Sequence, residues 1–138
     1  MMEPKLMSYI TSKFSSKGDM MAAEREWQDI ISDMLPRFKE AGALRQVVTH
    51  VWNQEGSFIL GNLWEYVDEK AFIACQPLFR EAEVKLNERT GIASIIVPSR
   101  GVILHDVRLL LETVFQSLNQ SLNKKLRIFM SHFLMKRL

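Results

Sequence analysis

The stretch LRQVVTHVWNQEGSFILGNLWEYVDEKAF (Leu44–Phe72) decides the fold. In Leu44–Trp52, residues Leu44, Gln46, Val48, His50 and Trp52 share one face of an extended chain, and Arg45, Val47, Thr49 and Val51 share the other. Asn53-Gln54-Glu55-Gly56 makes a short hairpin turn, and Ser57–Tyr66 is the returning strand. On the return, Phe58, Leu60, Asn62, Trp64 and Tyr66 point one way, while Ile59, Gly61, Leu63 and Glu65 point the other. Both faces are largely apolar, so this strand wants cover on both sides. A chain of 138 residues has few helices to supply that. The simplest second cover is another subunit.

Asp68 suits a helix cap, and the helix it opens is predicted from Glu69 to about Arg89. Its core stripe is Phe72, Cys75, Phe79, Ala82 and Leu86, and Pro77 is expected to split it into two short pieces. Upstream, Lys5–Phe14 reads as a strand, and Ser15–Asp19 breaks it. Met20–Ala41 is an amphipathic helix, with Met20, Ala23, Trp27, Ile30, Ile31, Met34, Phe38 and Ala41 on one side. Gly42 ends it, and Pro36 bends it or starts its last turn. Downstream, Ile92–Val107 is strand-like, interrupted by a turn at Pro98-Ser99-Arg100-Gly101, with its clearest portion at Gly101–Val107. The order β-α-β-β-α-β is the split ferredoxin-like unit, an antiparallel sheet backed by two helices.

The rest of the composition narrows the classes. A mass of 16.0 kDa with 47% hydrophobic and 25% charged residues is one globular domain. The net charge of +2 argues against a protein that coats nucleic acid. That total is uneven: Leu109–Leu138 holds Lys124, Lys125, Arg127, Lys136 and Arg137 against Glu112 alone, so the preceding part is mildly acidic. The expected organisation is a ferredoxin-like domain over 1–108 and a helical extension over 109–138. In that extension Leu111, Val114 and Leu118 follow Val107 at coiled-coil spacing, and Leu122, Leu126, Phe129 and Phe133 continue it after a stutter. The single cysteine, Cys75, excludes an intrachain disulfide and a cysteine-based zinc site. Met1–Ile10 lacks the apolar core of a signal peptide, and no run is apolar enough to span a membrane, so a cytoplasmic protein is expected.

Leu63-Trp64-Glu65-Tyr66 running into Asp68-Glu69-Lys70-Ala71-Phe72, followed by Pro77-Leu78-Phe79-Arg80-Glu81-Ala82, resembles the antibiotic-biosynthesis-monooxygenase-like group of dimeric α+β barrels. The Lys17-Gly18 turn and Met34-Leu35-Pro36 fit the same pattern, and the likeness covers about residues 5 to 107. It implies a homodimer whose sheets meet face to face, with Ile59 and Leu63 in the barrel and a pocket between each sheet and its own helices. Haem-degrading members use an Asn, a Trp and a His. Only Trp64 has a counterpart here, the other two positions falling near Thr11 and at Glu83, and no axial ligand is supplied.

Candidate site residues follow. His50, Asn62 and Trp64 are the catalytic candidates, since a histidine on a strand face can act as a general base and a mid-strand Asn needs polar partners. Tyr9, Thr11, Trp52, Tyr66, Glu83 and His105 are expected to line the pocket. The spacing of His50, His105 and His132 matches no metal site, and neither a metal nor a cofactor is expected. The expected function is a homodimeric binder of an apolar or aromatic small molecule, in the form of a cofactor-independent monooxygenase or isomerase. The alternative is a non-enzymatic scaffold whose basic amphipathic segment 123–138 docks on a partner or an anionic membrane surface. The favoured reading of that segment is packing on its own domain or on the second subunit.

Overall fold

Alternation in the strands and caps on the helices partition the chain. The computed structural model describes residues 4–110, 116–121, 129 and 132. A first compact unit, Met1–Ile103, holds β1 (Leu6–Phe14), α1 (Lys17–Ala41), β2 (Ala43–Val51), β3 (Phe58–Tyr66), α2 (Glu69–Thr90) and β4 (Ile95–Val102). The sheet order is β2-β3-β1-β4, and every neighbouring pair is antiparallel. This is the ferredoxin-like βαββαβ arrangement that the sequence predicts.

Both helices start and stop where their chemistry says. The Ser16 hydroxyl accepts from the Asp19 N–H at 3.1 Å, and the Asp68 carboxylate accepts from the Ala71 N–H at 2.8 Å. Gly42 closes α1 with φ +106°, and a Cβ there would lie 2.5 Å from that of Ala71. Helix α1 begins at Lys17 rather than Met20. Helix α2 runs unbroken through Pro77 and does not split. The carbonyl that Pro77 leaves without an N–H partner belongs to Ile73, which is exposed, so water can satisfy it.

The core forms between the helices and one face of the sheet. Met20, Ala23, Ile30, Ile31, Met34 and Phe38 of α1 are buried, as are Ala71, Cys75, Phe79 and Ala82 of α2. Trp64 of β3 joins them: its ring centroid lies 4.7 Å from that of Phe38 and 5.0 Å from that of Phe79. Ion pairs match the antiparallel register of the helices. Arg37 grips Glu81 with two bonds of 2.6 and 3.0 Å, and Arg89 reaches Asp29 at 2.7 Å. Hydrogen bonds from Arg37, and then from Lys85, hold the Glu81 carboxyl down at about 2.

The last strand departs from expectation. Pro98-Ser99-Arg100-Gly101 is not a turn but the body of β4, and Ile103–Arg108 has no regular structure. Two constraints account for this. An edge strand needs hydrogen bonds on one side only, so Pro98 fits with its nitrogen turned away from β1. The strand can also extend only as far as its partner: Leu6 faces Val102, and the Ile103 N–H donates to the Lys5 carbonyl as the last rung.

The opposite face of the sheet carries no helix of this unit. Tyr9, Ile59, Leu63 and Val47 are half-buried there, while Ile95 and Val97 are 67% and 58% exposed. The Tyr9 ring lies across Gly61, where a Cβ would collide with its hydroxyl and come within 2.6 Å of Thr49 Oγ1.

The second unit is Leu104–Leu138. Its residues 109–110 and 116–121 are helical, and Val107 and Leu118 are exposed. The heptad positions Leu111, Val114, Leu122, Leu126 and Phe133 and the five basic residues fall outside the described residues, as does most of segment 123–138. Among the described residues no helix is long and apolar enough to cross a membrane.

Gly61→Ala is expected to destabilise the fold by about 1–3 kcal/mol through overpacking. This should appear as a lower urea midpoint at unchanged slope. The loss should shrink in a Tyr9→Phe background, where the nearest colliding atom is gone.

Candidate functional site

Alternation along β1 sends Ser8, Ile10, Ser12 and Phe14 toward the helices, and along β4 it sends Ile96, Pro98 and Arg100 the same way. Above them, Phe72, Gln76, Phe79 and Glu83 recur along α2 at three- and four-residue steps and form one stripe. Floor and roof enclose a cleft of about 390 Å³. A smaller compartment of about 100 Å³ adjoins it, sharing Ile10, Phe79, Glu83 and Ile96 and adding Asn62, Trp27 and Glu24. The larger volume suits a small organic molecule.

Most of the wall is apolar, and the polar groups gather toward one end. There the Ser8 and Tyr66 hydroxyls share a 2.8 Å hydrogen bond in a buried setting. Ser8 stands directly opposite Arg100 across the strand pair. The Arg100 guanidinium lies 5.0 Å from the centre of the Phe72 ring, and Gln76 donates to the Phe72 carbonyl at 3.2 Å. Glu83 lies about 16 Å along the helix axis from Phe72, where the two compartments meet. In the smaller compartment Asn62 accepts from the Gln46 amide at 3.4 Å, and the buried Trp27 indole N–H has no partner among the described residues.

The sequence candidates divide sharply. Tyr66 and Glu83 line the larger cleft, Glu83 lines both compartments, and Asn62 lines the smaller one. Trp64 is buried in the core against Phe38 and Phe79, its N–H unpartnered, and lines neither compartment. Tyr9 and Thr11 belong to the other face of the sheet, because a strand alternates and Ser8, Ile10 and Ser12 take the cleft side. They therefore do not share a cavity with Asn62. His50 is exposed near the end of β2 and lines neither compartment. Trp52 is 85% exposed beyond that strand. His105 is exposed in the irregular segment after β4, not on a strand, because β1 offers no template past Lys5. Sequence reasoning missed Ser8, Gln76 and Arg100. Arg100 was hidden by reading Pro98–Gly101 as a turn; treated as strand, its alternation with Ile96 and Pro98 gives its face directly. Among the described residues no cluster of three His, Cys, Asp or Glu could hold a metal.

Burial pushes the Tyr66 hydroxyl up to about 12, against the opposing effect of the Ser8 hydrogen bond, and pushes the Cys75 thiol up to about 11. The Tyr66 hydroxyl thus keeps its proton at neutral pH, and either it or Ser8 can be the donor in their shared bond. Both groups ionise more readily in the unfolded chain, so their contributions are complete below their ordinary values of 9.0 and 10.0 and are lost as pH rises through about 11 and 12. Urea midpoints measured from about pH 8 to 12 should fall across that window, and Tyr66→Phe should remove the upper part of the fall.

Solved structures share this arrangement. A dimeric ferredoxin-like protein from an uncultured marine organism is 23% identical, with 76% of this chain and 100% of that chain covered and a TM-score of 0.66. A second such protein, also from an uncultured marine organism, is 20% identical, with 77% and 93% covered and a TM-score of 0.66. A monooxygenase from the ActVA-Orf6 gene of Streptomyces coelicolor, solved with nanaomycin D, is 10% identical, with 76% and 92% covered and a TM-score of 0.55. At these identities the likeness is one of fold alone, the ferredoxin-like fold. No curated protein matches the chain. The family model described as Domain of unknown function (DUF6974) matches residues 3–103, which include the whole sheet and both its helices, and the chain belongs to that family.

Proposed function

We propose that this chain is a homodimer that binds an apolar, aromatic small molecule in the cleft between β1, β4 and α2. The observation that carries the reading is the cleft itself. It offers about 390 Å³ walled by Ile10, Phe72, Phe79, Ile96 and Pro98, with hydroxyl, amide and guanidinium groups gathered toward one end. Flat rings stack well against such walls, and a few polar groups fix their orientation. The half-buried apolar face of Ile59, Leu63 and Val47, with exposed Ile95 and Val97 beside it, takes a second copy of the chain. The dimeric state of the marine ferredoxin-like proteins supports that pairing.

The chemistry best suited to the cleft is cofactor-independent oxygenation or isomerisation. Removing a proton from an aromatic hydroxyl or an activated C–H leaves an electron-rich anion. In oxygenation that anion delivers electrons to O₂, one oxygen atom becoming the new carbonyl and the other leaving as water with the two hydrogens lost by the substrate. In isomerisation the anion is reprotonated at another carbon. Either reaction asks the protein for one base and a dry wall. Glu83 is the carboxylate that both compartments share, so it takes the role first assigned to His50. Asn62, held by Gln46, supplies an amide on the far side, and Trp64 supports the floor from the core. The 10%-identical monooxygenase carrying nanaomycin D is consistent with a fused-ring ligand.

Two measurements check this. Titration calorimetry with 1-naphthol should show binding to the native protein, and Ile96→Trp, which fills the cleft from an exposed edge position, should weaken it at least tenfold with the fold intact. Unchanged affinity in that variant would remove the cleft from consideration. In sedimentation, the native chain should run as a dimer and Leu63→Arg as a monomer.

A further inference from the structure

We infer that the Arg100 end of the cleft is a carboxylate site, so that the ligand class is an aromatic carboxylic acid held by its acid group. This rests on the cleft being the ligand site and goes on to name what it selects.

The argument starts from charge. Arg25, Arg80 and Arg100 have no carboxylate partner among the described residues, and of the three Arg100 is the one that lines the cleft. Its guanidinium lies over the face of Phe72. An arginine laid on an aromatic ring keeps its hydrogen-bonding edge free, and the ring strips water from one side of the guanidinium. That edge presents paired N–H groups at the spacing of a carboxylate.

The surroundings supply more donors. Across the strand pair from Arg100 stands Ser8, whose hydroxyl is bonded to that of Tyr66, and a linked pair of hydroxyls has a proton left to donate. Gln76 approaches from α2. The carboxylate lining this cleft, Glu83, belongs to the far end of the α2 stripe, so it does not neutralise Arg100 and would repel an acid group bound the wrong way round. Rings of the ligand then lie along Ile10, Phe79, Ile96 and Pro98.

The test compares 1-naphthoate with methyl 1-naphthoate by titration calorimetry on the full chain. Native protein should bind the acid at least tenfold more tightly than the ester. Arg100→Gln, at an exposed position on an edge strand, should bring the acid down to the affinity of the ester, with the melting temperature retained. Equal binding of acid and ester by the native protein overturns the carboxylate assignment while the cleft stands. A preference that survives in Arg100→Gln also overturns it. Failure of both compounds to bind overturns the carboxylate site and the cleft reading together.

Discussion

The contact on which the rest depends is the three-ring cluster of Trp64, Phe38 and Phe79, in which the two phenylalanines also touch each other at 5.0 Å. One residue of a central strand there touches both helices at once, with ring separations of 4.7 and 5.0 Å. Truncating such a buried ring typically costs about 3–5 kcal/mol, and here it would release two elements together. Helix α2 packs against β2 and β3, and the space between it and β1 and β4 is the cleft. Core and site are two outcomes of one placement.

The roof is itself held firmly. Arg37 to Glu81 and Arg89 to Asp29 join α1 and α2 at points eight residues apart on each helix, or about 12 Å. Surface pairs of this kind contribute little individually to stability. They match the antiparallel register that the buried contact of Phe38 with Phe79 sets between α1 and α2. The side chains that line the cleft sit on regular elements, which hold their geometry better than loops do.

How much of this was legible depends on the kind of signal. Leu44–Phe72 announced its hairpin and helix because period-two and period-3.6 patterns are strong and the caps are local. The stripe on α1 could be named residue by residue. The failures turned on the surroundings of a residue and not on its type. Pro98 and Gly101 look like turn residues, and only the knowledge that β4 is an edge strand ending with β1 makes them strand. Pro77 looks like a breaker, and only the exposure of Ile73 makes it tolerable. Tyr9 and Thr11 were assigned to the cavity by chemistry, but their parity sends them to the other face. Arg100, the cleft's one arginine, vanished with the strand that carries it. Histidines attracted notice as acid–base residues, yet His50 and His105 lie outside the cleft and a glutamate lies within it.

Pro98 has an effect beyond the fold. Its nitrogen faces outward at the middle of β4, and it has no hydrogen to offer. The outer rim of the sheet is therefore missing a rung where an incoming strand would have to zip past. Proteins with open sheet rims risk stacking indefinitely into aggregates, and a proline at the rim is one way of stopping lateral growth. The residue that conceals β4 in the sequence also leaves the rim of the sheet one donor short for an added strand.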